Sequence, residues 1–276
     1  MVTSNLYPLI EEAIQNHDWA VSQFPAYFEN LSNTCPIVWF GDLASNAPKI
    51  ITFGSNPSDK EFHDDDHQLL KRPRFPKFIN RGLTVTAKSM SPVFGVAQNI
   101  EEDDNDYFKE SNNPYMGWFR PLHKFAKEYY KDVCEDPVCI HIDALPFATS
   151  KKFTELKHNT ESLSPNAHFR NFGDVLDWGA DFAHRLLQEI MDADQVLGIV
   201  LIGRENIRQF KSIFKRNISN VKEGNFFVKR NFAIEKFEVN IGTKTIEVIG
   251  TTIYLPNSHL GTALNAADLI FAIKQL

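Results

Sequence analysis

Apolar residues fall along this chain in two rhythms. Leu6, Leu9, Ile10, Ala13 and Ile14 recur at three- and four-residue spacing, so residues 7–32 predict one or two amphipathic helices. The same rhythm predicts a helix opening at Asn113-Pro114-Tyr115 and running through Tyr130, another over 171–193, a basic one after Gly203 and a last one over 262–275. Between them lie unbroken apolar, β-branched runs: Lys49–Gly54, Val138–Ile142, Gln195–Gly203 and Ile246–Leu255. Such runs, bounded by turn residues, predict strands buried on both faces. Cys35–Asp42 predicts a short extended piece ahead of the first strand, and 225–240 alternates as a hairpin or meander does. Apolar strands separated by helices define an α/β chain with a parallel sheet covered on both faces.

The stretch 59–112 breaks the pattern. It carries the acidic runs Asp64-Asp65-Asp66 and Glu101-Glu102-Asp103-Asp104, with the basic cluster Lys71-Arg72-Pro73-Arg74 between them. Charge runs of this kind predict solvated loops, and a loop this long predicts either a functional segment or short unplaced elements. Two domains are expected: an N-terminal helical extension over 1–45 packed on the core, and a core domain over 46–276.

Composition narrows the classes. At 276 residues with 43% hydrophobic content, the chain can bury a sizeable core. No run reaches the length of a membrane span, and the N-terminus lacks a basic start followed by an apolar core, so a cytoplasmic protein without a membrane partner is expected. Three cysteines without C-x-x-C spacing argue against a disulfide framework, a structural zinc site or an iron–sulfur cluster. His63, His67 and Asp64–Asp66 could bind a metal, but a histidine-dotted acidic loop is more often simply solvated; neither metal nor other cofactor is expected. A net charge of −6 does not advertise nucleic-acid binding, yet contact with phosphate depends on a local basic groove.

Chemistry gathers where the strands end. Gly54-Ser55-Asn56-Pro57-Ser58 places an amide side chain between a strand-end glycine, where the backbone can turn sharply, and a stiffening proline. In open α/β sheets this edge is where ligands bind, and Asn56 could orient a water. Ordinary turn chemistry explains the same residues equally well. Asp143, Gly203-Arg204 and Asn257-Ser258-His259 end the other strands. There is no G-x-S-x-G elbow, P-loop or H-E-x-x-H motif.

Gly54–Ser58 resembles the G-x-N-P-G/S motif of the uracil-DNA glycosylase superfamily, in the style of its mismatch-specific and single-strand-selective branches. Asn113–Phe119 is similar to the segment whose aromatic ring stacks on the flipped base, and Ile140–Ala144 to the strand whose terminal amide reads the pyrimidine edge. Pro256–Gly261 resembles the late loop, H-P-S-P-L or N-P-S-G-L. Order and spacing agree over about residues 48–276. The resemblance implies a three-layer α/β/α fold around a four-stranded, mainly parallel sheet, and hydrolysis of the N-glycosidic bond of an extruded base in DNA, single- or double-stranded. A nucleoid-associated location follows if DNA is bound. It implies catalytic roles for Asn56, Asn257 and His259. Gly54, Ser55, Tyr115, Phe119 and Asp143 would bind the base, while Ser58, Lys71, Arg72, Arg74, Lys151, Ser258 and Leu260 would bind DNA. No lysine stands where lyase chemistry would need it.

The late loop lacks a proline between Asn257 and Ser258 and sets His259 one step late. Asp143 stands where uracil-specific members use Asn, and an ionised carboxylate only accepts hydrogen bonds, which suits a base edge bearing an amino group. Structural readings stand beside these roles. Asp143 can cap a turn or pair with a cation, His259 can satisfy a loop backbone, and Leu260 can be core rather than a wedge. Either Tyr115 or Phe119 packs inward. Arg204, Arg208, Lys211, Lys215 and Arg216 form a solvated face. A non-catalytic protein of this fold binding nucleic acid or a protein, and a nucleotide- or nucleoside-processing hydrolase, are the competing functions.

Overall fold

The computed structural model describes residues 6–29, 31, 34–64, 66, 68, 70, 75, 93–109, 115–150, 155, 168–227, 231–253 and 266–276. The chain is of the mixed α/β class. It forms two compact units with interleaved segments: Met1–Asp42, Ser55–Ser111 and Ile142–Leu186 in the first, Leu43–Gly54, Asn112–His141 and Leu187–Leu276 in the second. The first 42 residues share a unit with two later segments.

The strands are β1 (Lys49–Gly54), β2 (Val138–Asp143), β3 (Val196–Ile202), β4 (Ile218–Phe227), β5 (Asn231–Ile241) and β6 (Lys244–Thr251). They form one sheet in the order β2-β1-β3-β6-β5-β4. β1, β3 and β6 run parallel, and β5 and β4 continue antiparallel. The sheet thus has six strands rather than four. β4 and β5 extend the region expected as a hairpin over 225–240, and the turn from β5 to β6 is a two-residue one whose first residue, Gly242, sits at φ 58° as a type II′ turn requires. β4 is the outer strand. Its pairing slips between Ser219 and Lys222, and Asn220 there takes φ 52°.

Helices follow the apolar rhythm: α1 (Tyr7–Gln23), α2 (Val93–Asp106), α3 (Met116–Tyr130), α4 (Phe172–Ala193), α5 (Arg204–Ile213) and α6 (Ala266–Lys274). Within the second unit, α3 and α6 cover one face of the sheet. Leu122, Phe125 and Ala126 meet Leu269 and Ile273 over Ile50, Val200, Ile202, Ile234 and Ile249. α5 covers the other face, with Phe210 edge-on to Phe53 at 5.2 Å. Each fully buried Leu, Ile, Val or Phe among them contributes about 1.5–3 kcal/mol.

The core of the first unit is aromatic. Tyr27 stacks on Phe172 at 4.6 Å and Phe147 on Trp178 at 5.1 Å. Glu12 of α1 accepts from Arg185 (2.6 and 2.7 Å) and from the Trp178 indole (2.7 Å), tying α1 to α4. α1 also packs on α2.

α2 overturns the expectation of a solvated loop at Glu101–Asp104. Asp103 and Asp104 are buried, the latter at 0% exposure. The cause lies far away in sequence. Residues 35–41 of the extended segment are buried but belong to no strand of the sheet, so their amide groups need other acceptors. Asp104 Oδ2 accepts from Val38 N (3.0 Å) and Trp39 N (3.3 Å), the Asp104 carbonyl accepts from Gly41 N (2.9 Å), and Asn105 accepts from the Trp39 indole (3.1 Å). Burial pushes the Asp104 carboxyl well above the usual range, with Asp103 and Glu101 adding to it, and outweighs the two amide hydrogen bonds that act the other way.

Candidate functional site

In the first unit, the chain leaving β1 runs alongside the chain leaving β2. Leu145 N donates to the Ser55 carbonyl at 3.0 Å, and Ser58 forms a parallel bridge with Thr149. Asn56 is held between these segments. Its Nδ2 donates to the Pro57 carbonyl (2.8 Å) and to Thr149 Oγ1 (3.0 Å), and the side chain is half-buried. Both donor hydrogens are spent inside the fold. Among the described residues nothing donates to Oδ1, which leaves an oriented acceptor of the kind that can hold a water.

Asp143, the last residue of β2, is buried at 6% exposure in the same unit. Ser55 is half-buried, and Ser58 caps the short 3₁₀ turn Asp59–Glu61, accepting from Lys60 N at 3.3 Å and donating to Asp59 at 3.0 Å. Gly54 is the buried final residue of β1; the positive-φ glycines among the described residues are Gly41, Gly203 and Gly242. The sharp turn expected at Gly54 is therefore not a left-handed one. Pro57 and the Asn56–Thr149 hydrogen bond fix the exit instead.

In the second unit, Tyr115 caps α3 half-exposed, its carbonyl accepting from Trp118 N and Phe119 N. Phe119 is buried, 5.2 Å edge-on to His141. Of the two rings at helical spacing, Phe119 is the one that packs inward. His141 Nδ1 lies 2.8 Å from Thr52 Oγ1, and Trp118 also meets His141 edge-on. His123 lies 5.6 Å from Phe119; burial, with His141 and Lys127 nearby, pushes its imidazole down to about 3.

Asn257, Ser258, His259 and Leu260, and the expected DNA contacts Lys71, Arg72, Arg74 and Lys151, lie outside the described residues, as does His67. His63 is buried at 4% exposure. Among the described residues no group of three or more His, Cys, Asp or Glu side chains is placed to hold a metal, and no helix is long and apolar enough to cross a membrane.

Thr149 was not singled out from sequence. Its signal was faint: a small polar residue ending the apolar run Ala144–Ala148, one of many in the chain. The His141–Thr52 pair was missed because both residues sit mid-strand, where the apolar rhythm draws attention to their neighbours.

No family model, no curated protein and no solved structure matches this chain.

Proposed function

We propose that the protein is a metal-independent glycosylase-like hydrolase that cleaves the N-glycosidic bond of a damaged or deaminated base in DNA. The reading rests on the motif resemblance, and the observation that carries it further is the hold on Asn56. With both its N–H groups committed to Pro57 and Thr149, the amide cannot flip, so Oδ1 presents a fixed acceptor beyond the end of β1. A water bound there would have one hydrogen directed at Asn56 and a lone pair free to approach the anomeric carbon as the base departs. The half-exposed ring of Tyr115 is the remaining candidate for stacking on the base, because Phe119 is occupied in the core. A uracil-DNA glycosylase-like layout would give the sheet a four-strand parallel core with β5 and β4 as an antiparallel addition.

The test is incubation with single- and double-stranded oligonucleotides carrying uracil or other altered bases, followed by alkaline cleavage at abasic sites. Wild-type protein is expected to produce strand breaks, and Asn56→Ala to lower the rate by roughly a hundredfold, the scale of losing a positioned catalytic group, while its melting curve stays cooperative. Full activity in a folded Asn56→Ala protein removes the residue from the mechanism. Inactivity of wild type on every base instead favours a non-catalytic binding protein, a reading that the buried, non-amide Asp143 supports.

A further inference from the structure

A cavity of about 250 Å³ opens in the second unit between α5 and the ends of β5 and β6, lined by Arg204, Ile207, Arg208, Lys211, Glu235 and Thr252. We infer that this cavity is a binding subsite for a phosphate ester.

Charge is the first ground. Arg204, Arg208 and Lys211 stand at i, i+4 and i+7 on α5, a spacing that puts all three on one face of the helix, the face that lines the cavity. Against three cations the described lining holds one carboxylate, Glu235, which is ion-paired with Lys211. Lys211 also approaches Glu223 at 3.6 Å, so it is neutralised and serves as a fixed wall. Arg204 and Arg208 remain in excess in a chain whose net charge is −6.

Availability is the second ground. Arg204 makes no hydrogen bond or ion pair among the described residues. Among the described residues Arg208 meets only Glu205, at 3.1 Å, in a largely exposed and therefore weak pair. A planar guanidinium with uncommitted N–H groups matches the oxygens of a phosphate, often in a two-point contact.

Position and size supply the third. The cavity sits by Thr252, one residue past β6, at the carboxyl edge of the parallel strands, the edge where α/β sheets take their ligands. Gly203, at φ 96°, turns the chain from β3 directly into α5 without a side-chain cap. The volume falls below the roughly 300–1,000 Å³ that encloses a whole drug-sized ligand, so it suits a phosphate and its ester carbon rather than a base. The phosphate could belong to a nucleic-acid strand or to a free nucleotide. The chemistry is shared, and the subsite does not depend on the glycosylase reading.

The experiment compares wild type, Arg204→Gln/Arg208→Gln and, as a control beyond the cavity, Lys215→Gln/Arg216→Gln. Inorganic pyrophosphate is titrated by calorimetry and a labelled single-stranded oligonucleotide by anisotropy over a salt series. The cavity variant should bind pyrophosphate at least about tenfold more weakly, with the control unchanged. If a strand is the source, its oligonucleotide affinity falls as well, and the slope of log affinity against log salt shrinks by about 1.4, the release expected for two single-strand phosphate contacts. Pyrophosphate binding with no oligonucleotide binding supports the subsite with a free phosphate ester as its ligand and counts against the glycosylase reading. Unchanged binding of both ligands by the cavity variant overturns the subsite and leaves the glycosylase reading standing. Equal loss in the control variant, or no binding of either ligand by wild type, also overturns it.

Discussion

Two charged helices of similar appearance in sequence are used in opposite ways. α2 carries Glu101-Glu102-Asp103-Asp104 in its last turns and directs Asp103 and Asp104 inward; α5 carries Arg204, Arg208 and Lys211 and leaves Arg204 and Arg208 at the surface. The acidic run predicted a solvated loop and the basic run a solvated helix face. The difference comes from what each helix lies against. α2 meets a buried backbone segment with amide groups to satisfy, and a carboxyl is a good acceptor for two of them at once. α5 lies on a sheet whose backbone groups are already paired in ladders, so its charges are left for solvent or a ligand.

The largest test of that contrast is Asp104→Ala. Losing the acceptor for Val38 N and Trp39 N leaves two buried donors unsatisfied, at about 1–3 kcal/mol each, so urea unfolding should lose roughly 3 kcal/mol or more. Asp104→Asn keeps an acceptor of the same shape without a charge to bury and should lose under about 1 kcal/mol at neutral pH. The sign with pH follows from the raised carboxyl. The unfolded chain releases the Asp104 proton near 4 while the folded chain holds it, so this group's contribution is full below that pH and declines as pH rises towards the folded value. Asp104→Asn should therefore flatten the stability profile above about pH 4. A large loss in Asp104→Asn would show that the charge itself, rather than acceptor geometry, holds the segment 35–42.

His123 gives the intermediate effect and the opposite sign. Its imidazole is depressed to about 3 in the fold, against about 6.5 in an unfolded chain. Its neutral form contributes stability above the unfolded value, and that contribution is lost as pH falls through 6.5 towards 3, by at most about 1.4 kcal/mol per pH unit. Chemical denaturation from pH 7 to 4 should show this slope in wild type and a shallower one in His123→Gln. Equal slopes would place the titrating group elsewhere.

The smallest effect belongs to α5. Arg208→Ala removes an exposed pair with Glu205 and should change unfolding free energy by less than about 0.5 kcal/mol. A loss above about 1 kcal/mol would mean that this face of α5 works for the fold as α2 does.

The sequence made some of this legible and hid the rest for physical reasons. β1 and β3 could be read because strands buried on both faces are continuous apolar runs, and α3, α4 and α6 because one stripe of each is apolar. β4 could not, since Ile218–Phe227 lies largely exposed at the sheet edge and is written mostly in polar residues. α2 was hidden because the groups its carboxyl serves lie 65 and 66 residues away. At the candidate site, the strand-end position of Asn56 was visible from the Gly-x-Asn-Pro pattern. Its restraint by Thr149, 93 residues on, is a tertiary fact with no local signature.

The slipped outer strand carries a consequence for the protein in crowded solution. A bare sheet margin is a template on which another chain can add its own backbone, and repeated addition leads to fibres. Here the margin is interrupted where Asn220 turns left-handed, and Val221, Lys222 and Glu223 follow it exposed, two of them charged. An incoming strand meets a kinked and charged border there, which disfavours pairing in register along β4.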